Sequence, residues 1–227
     1  MKDLINQIQI QVNEKVYIKD PNSSDLGKNI IAHSIKIIDE IGFEGFTFRK
    51  LAIVLNTKEG SIYRYFENKH KLLIYITSWY WGWLEYHLVF STTNIPQPEE
   101  RLKIAINTVA RGHEDSEIFS FINLGALHRI VVSESSKAYL TKEVDRANKE
   151  GFYSGYKRLV GRISELVLEI EPNFQYAHTL ISTIVEGILH QKYFADHLPS
   201  LTDIDHDDQK LAEFYCMMAL ATIKSSK

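Results

Sequence analysis

Residues 47–66 read Thr-Phe-Arg-Lys-Leu-Ala-Ile-Val-Leu-Asn-Thr-Lys-Glu-Gly-Ser-Ile-Tyr-Arg-Tyr-Phe. The stretch reads as a short helix, a tight turn and a second short helix. Leu51, Ala52 and Leu55 share one face of the first, and Ile62 and Phe66 share one face of the second. Asn56 falls at the turn, and asparagine tolerates the left-handed conformation better than most residues. Ala52 is small enough to let the two helices cross closely. Phe43 and Phe46 are placed to close the core from the preceding loop. This is the build of a helix-turn-helix, whose second helix enters the DNA major groove.

The exposed residues suit that task. Thr47, at a helix start, offers a hydroxyl and backbone donors to a phosphate. Tyr63 carries a long donor able to reach a phosphate oxygen. Lys69 adds charge at the start of the next helix. Lys58, Ser61 and Arg64 lie on or beside the reading helix and are candidates for base edges or phosphates. Lys28, near the start of the preceding helix, completes the candidate set. Glu59 is unusual in an anionic groove; it either accepts from cytosine N4 or points away.

Working outward, the chain reads as all-α, with about nine helices. They are expected at 25–41, 47–55, 58–65, 68–90, 98–112, 116–133, 136–170, 173–197 and 206–224. Ser23 or Ser24 caps the first, Asp25 complements its dipole, and Gly42 is its expected left-handed stop. Gly151, Gly155 and Gly161 allow a bend or a break in 136–170. Residues 1–20 are ambiguous: Ile8, Ile10 and Val12 alternate like a strand, whereas Ile5, Ile8, Val12 and Val16 suit a helix. A helical or irregular form is favoured, because a lone strand has no partner.

The chain has 227 residues, room for one large domain or a small one joined to a larger one. Its net charge of −3 argues at first against nucleic acid. Position changes that. Residues 28–71 hold eight basic and five acidic side chains, +3, so the remainder carries −6. A modestly basic segment sits within an acidic chain. The single cysteine, Cys216, excludes an intrachain disulfide and a cysteine zinc site; it is expected to be buried and inert. No stretch approaches the roughly 20 apolar residues of a membrane span. Asn6, Gln7 and Gln9 interrupt the apolar residues of Met1–Ile10, so no signal-peptide core is read and the cytoplasm is the expected compartment.

The run from Ile30 to Leu73 resembles the DNA-binding domain of the TetR family of transcriptional regulators. The matching pieces are Ile-Ile-Asp-Glu-Ile-Gly-Phe-Glu-Gly-Phe-Thr (37–47), Leu51-Ala52 and Gly60-Ser61-Ile62-Tyr63-Arg64-Tyr65-Phe66, with Lys69 and Leu72-Leu73. There are departures. The turn reads Asn56-Thr57-Lys58 where the family often has Gly-Val-Ser, so the usual serine cap is missing. Phe48 stands where a second threonine often follows Thr47, which removes a phosphate donor. The extension before the first helix is longer than in many members.

The resemblance implies a helix-turn-helix domain at 25–73, after an N-terminal extension at 1–24. A larger helical ligand-binding and dimerisation domain would fill 74–227. It implies a double-stranded DNA operator, palindromic to match a homodimer formed through the last two helices, and a small-molecule effector of unknown identity. The function implied is that of a repressor released by its effector, without enzymatic activity. In 173–197 and 206–224 the apolar stripes are wide, as suits helices covered on more than one side; a monomer core would also account for them.

Other features carry less. Trp79, Trp81 and Trp83, with Tyr80 and Tyr86, read as core packing or as a pocket wall. Phe119, Phe121, Asn123 and His128, with Asn148, Phe152 and Tyr156, mix apolar surface with polar handles, as pockets and ordinary interiors both do. His178, Glu186 and His190 share a helix without the facing pairs a metal bundle needs. No catalytic set, metal set or cofactor is read, and ligand-binding residues are not assigned. Two competing readings remain: a helical binding or enzymatic bundle with a structural helix-turn-helix, and a protein-interaction module docking through the aromatic helix.

Overall fold

The computed structural model describes residues 10–112 and 121–225. The expectations for Ile5, Ile8 and Phe119, and for a helix start at 116, lie outside them. The described helices are α1 (Asp25–Gly45), α2 (Phe48–Val54), α3 (Glu59–Tyr63), α4 (Lys69–Thr92), α5 (Pro98–Arg111), α6 (Leu124–Glu134), α7 (Ser136–Tyr139), α8 (Val144–Lys149), α9 (Ser154–Ile170), α10 (Ala177–His197) and α11 (Asp208–Lys224). No strand occurs among the described residues. The all-α expectation holds.

The chain divides into two compact units. One comprises Met1–Gly82 and His113–Gly155; the other comprises Trp83–Gly112 and Tyr156–Lys227.

In the first unit, α1 starts where Ser24 accepts the Gly27 N–H at 3.2 Å, with Asp25 in its first turn. Ile30, Ile31, Ile35 and Ile38 form its buried stripe. Gly42 has the expected positive φ of 72°, but its ψ of 163° is extended rather than left-handed helical. The chain therefore kinks there and adds one further turn to Gly45.

The expected helix over 136–170 is broken twice. Leu140 leaves helical geometry at φ −80°, ψ 62°, which ends α7. Gly151 ends α8 at φ +82°. There Phe152 N–H bonds Ala147 O at 3.1 Å and Gly151 N–H bonds Asn148 O at 3.0 Å. Those two bonds form the paired closure of a Schellman ending, which needs a left-handed residue and so favours glycine.

The N-terminal segment 10–24 is a strap laid along this unit, with short 3₁₀ turns at Glu14–Val16 and Pro21–Ser23. Ile10, Val16 and Pro21 are buried. Asn13 Nδ2 donates to Glu150 O at 2.8 Å. Tyr17 meets Tyr75 edge-on at 5.9 Å. From residue 10 onward the segment is irregular, one of the two forms favoured for 1–20, and its apolar residues dock one at a time.

In the second unit, α5 packs on α10 and α11. Leu102, Ala105, Ile106 and Val109 are buried on α5, and Leu211, Tyr215, Ala219 and Ile223 on α11. Helices α10 and α11 approach closely at Gly187, where a Cβ would stand only 2.3 Å from Tyr215 Oη. Arg158 and Arg162 each donate through Nε to the buried Glu85, at 2.9 and 2.7 Å. Cys216 is half-buried rather than buried; its thiol faces Lys103 O at 3.9 Å, and burial pushes its pKa up, which suppresses the thiolate. Among the described residues no helix is long and apolar enough to cross a membrane.

Candidate nucleic-acid interface

The geometry of 47–66 starts with its caps. Thr47 has extended backbone angles and its hydroxyl oxygen accepts the Lys50 N–H at 3.2 Å, which starts α2. Its own hydroxyl proton stays available to a phosphate. At the turn, Asn56 adopts φ 47°, the left-handed form read from the sequence. Thr57 N–H then closes on Ala52 O at 2.9 Å. Lys58 precedes α3 without any side-chain cap, as the missing serine implies.

Asn56→Ala should therefore lower stability by about 1 kcal/mol, and Asn56→Gly should not, because only the alanine is strained at positive φ. Denaturant midpoints of the two variants check this.

The interior of the head is aromatic and aliphatic. Phe46, Leu51, Ile62 and Phe66 have no exposed surface. Phe48 is also buried; it meets Phe46 edge-on at 6.2 Å and Tyr63 at 5.1 Å. The residue that displaces a threonine donor thus braces the ring of Tyr63, which is 47% exposed.

The candidate residues fall into two groups. Thr47, Lys58, Tyr63 and Arg64 are exposed, and Lys28 and Ser61 are half-exposed. Among the described residues no carboxylate pairs with Lys28, Lys58 or Arg64. Some other cations of the same unit are neutralised: Arg129 pairs with Asp39 at 2.7 Å and Lys137 with Glu134 at 2.6 Å. Lys69 differs from the first group. Its ammonium donates to Phe43 O, Glu44 O and Phe46 O at 3.0, 3.4 and 3.3 Å, and lies 4.6 Å from the Phe43 ring centroid. It holds the corner that delivers Thr47. Glu59 opens α3 half-exposed.

The remaining features resolve locally. Asn123 caps α6, accepting the Ala126 N–H at 2.9 Å. His128 is buried with Nδ1 2.8 Å from Tyr80 Oη. Trp79, Trp81 and Trp83 are buried. Tyr156 donates to Glu186 at 2.7 Å, and His190 stacks on Phe194 at 6.1 Å. No group of three potential metal ligands occurs among the described residues. The second unit contains a cleft of about 380 Å³, walled by Leu88, Val89, Ile95 and Leu166 with Arg101 and Arg162.

Sequence reading missed the strap, Phe48 as a brace and Lys69 as a corner tie.

A helix-turn-helix with a capped entry, a left-handed turn and exposed cations has the build of a DNA-reading head. Residues 30–76 match the family model described as bacterial regulatory proteins, tetR family. Through this segment the chain is similar to the tetR family. A search of curated proteins finds no match. Solved structures share the fold. A tetR-family regulatory protein from Rhodococcus RHA1 aligns at a TM-score of 0.61 and 16% identity, covering 88% of this chain and 98% of its own. AibR, in complex with isovaleryl coenzyme A and operator DNA, aligns at 0.57 and 17%, covering 84% and 97%. The fatty acid degradation regulator FadR from Bacillus halodurans aligns at 0.57 and 20%, covering 85% and 96%.

Proposed function

We propose that the chain is a homodimeric, sequence-specific DNA-binding regulator, a repressor released from a palindromic operator by a small molecule. The observation that carries this is the reading head, whose exposed Lys58 and Arg64 have no carboxylate partner among the described residues beside a well-packed helix-turn-helix. Residues 25–73 read DNA and residues 74–227 bind ligand and dimerise. Thr47, Tyr63 and Lys28 take phosphates. Lys58, Ser61 and Arg64 take base edges or phosphates. Lys69 acts by fixing the 43–46 corner.

The partners have support of their own. The AibR structure holds both isovaleryl coenzyme A and operator DNA, a precedent for the two ligand classes on one fold. The cleft of the second unit, about 380 Å³, has a size and mixed lining suited to a small amphipathic molecule. Such a molecule regulates DNA binding only if it favours one conformation over the other. Phe214 and Met217 lie exposed on α11 at 45% and 64%, and a second copy would cover them.

Selection of bound DNA from a random pool tests the proposal. The expected result is one enriched palindrome, with half-sites a helical turn or a multiple apart. No enrichment at low salt overturns it.

A further inference from the structure

We propose that the N-terminal strap belongs to the nucleic-acid interface, with Lys19 presenting its ammonium to a DNA phosphate beside the end of the reading helix. The inference rests on the DNA-binding function proposed above.

The strap is fixed to the reading helix at its exit. Ile18 N–H donates to Tyr65 O at 2.8 Å, two residues beyond α3. Ser24 Oγ lies 2.7 Å from Tyr65 Oη. On either side of Lys19, Tyr17 packs on Tyr75 at 5.9 Å and Asn22 Nδ2 donates to Tyr75 Oη at 3.2 Å. Val16 anchors the preceding turn at 1% exposure. The backbone that carries Lys19 is thus tied down at both ends, so engaging a ligand orders only one side chain.

Among the described residues no carboxylate pairs with the ammonium. Lys19 is exposed, with Nζ 5.1 Å from the Tyr65 ring centroid. Its acidic neighbour, Asp20, is already in use: its carboxylate accepts the Asn22 N–H at 2.9 Å. Lys71 shows the contrast. Its Nζ lies 3.8 Å from the Phe152 ring centroid and donates to Lys15 O at 3.4 Å, and burial lowers its pKa. Lys71 serves the packing of the strap, whereas Lys19 stays exposed beside the ring of Tyr65, the residue that follows exposed Tyr63 and Arg64 in the chain.

A fixed cation beside a reading helix, with no internal counter-charge, is matched by the regularly spaced charge of a duplex backbone. Binding there releases a condensed counterion and carries no base preference.

The test uses the full chain and the operator recovered by selection. Lys19→Ala and Lys19→Met should each flatten the plot of log affinity against log salt by about 0.9 per reading head. The loss should be uniform across operator variants, and Lys19→Arg should preserve the slope. A neutral methylphosphonate at the matching flanking phosphate should reproduce the loss in the parent protein and add nothing to Lys19→Met. An unchanged slope in Lys19→Ala, or full recovery of affinity by Lys19→Met, overturns the strap contact while leaving the regulator intact. Failure of the parent protein to bind any duplex overturns both.

Discussion

Gly27→Ala should destabilise the first unit by about 3 kcal/mol, although alanine is the better helix former. Gly27 lies in the first turn of α1, directly against the strap. A Cβ there would stand 2.1 Å from Pro21 O, 2.7 Å from Pro21 Cα and 2.8 Å from Pro21 C. All three are backbone atoms, so no side-chain rotation relieves the overlap. Pro21 cannot simply step aside, because it is buried and sits between the Asp20 cap and the Asn22–Tyr75 hydrogen bond. Helix propensity alone would give a gain of about 1 kcal/mol, so the sign of the change separates the two effects. Native domains hold only about 5–15 kcal/mol, which makes the loss large. Urea unfolding should show a lower midpoint, and limited proteolysis should open the chain within residues 10–24. A stabilised variant would mean that the strap is not seated on α1.

The reading head was legible because its determinants are local. Thr47 caps three residues ahead, Ser24 does the same for α1, and Asn56 takes the left-handed turn that its own chemistry allows. The parts that were not legible depend on distant partners. The three carbonyls that Lys69 ties are 23–26 residues away in sequence, so its spacing gave no hint that they would compete with a phosphate. The strap buries Ile10, Val16 and Pro21 at unrelated spots, and irregular docking leaves no period to detect. Glycine content marked 136–170 as breakable, but not where. Of its three glycines only Gly151 takes a positive φ; Gly155 and Gly161 stay helical in α9. In sequence Phe48 reads as the loss of a donor, whereas in the fold its ring packs edge-on against Tyr63, fifteen residues away.

Glu134→Ala should lower stability by about 3 kcal/mol, while Glu134→Gln should cost far less. Glu134 ends α6 and is 7% exposed. Its Oε1 accepts the buried Phe43 N–H at 3.0 Å, immediately after the Gly42 kink. Its Oε2 pairs with Lys137 at 2.6 Å, and Lys137 reaches Glu44 at 3.5 Å. Alanine strands a buried donor at the corner whose carbonyls hold Lys69 and whose end delivers Thr47. Operator affinity should therefore fall together with the denaturation midpoint. Glutamine keeps the acceptor and loses only the charge, and the Lys137 side chain is 40% exposed, so solvent screens much of that loss. The pH dependence separates the roles further. Hydrogen bonding to Glu134 raises the Lys137 pKa above its ordinary 10.5. The stabilisation from that pair is thus complete below pH 10.5 and fades as pH rises through the raised value. Glu134→Gln should lack this alkaline fade and lie below the parent chain at neutral pH by that same screened amount, well short of the Glu134→Ala loss. Equal losses in the two variants would mean that the ion pair, rather than the Phe43 hydrogen bond, secures the corner.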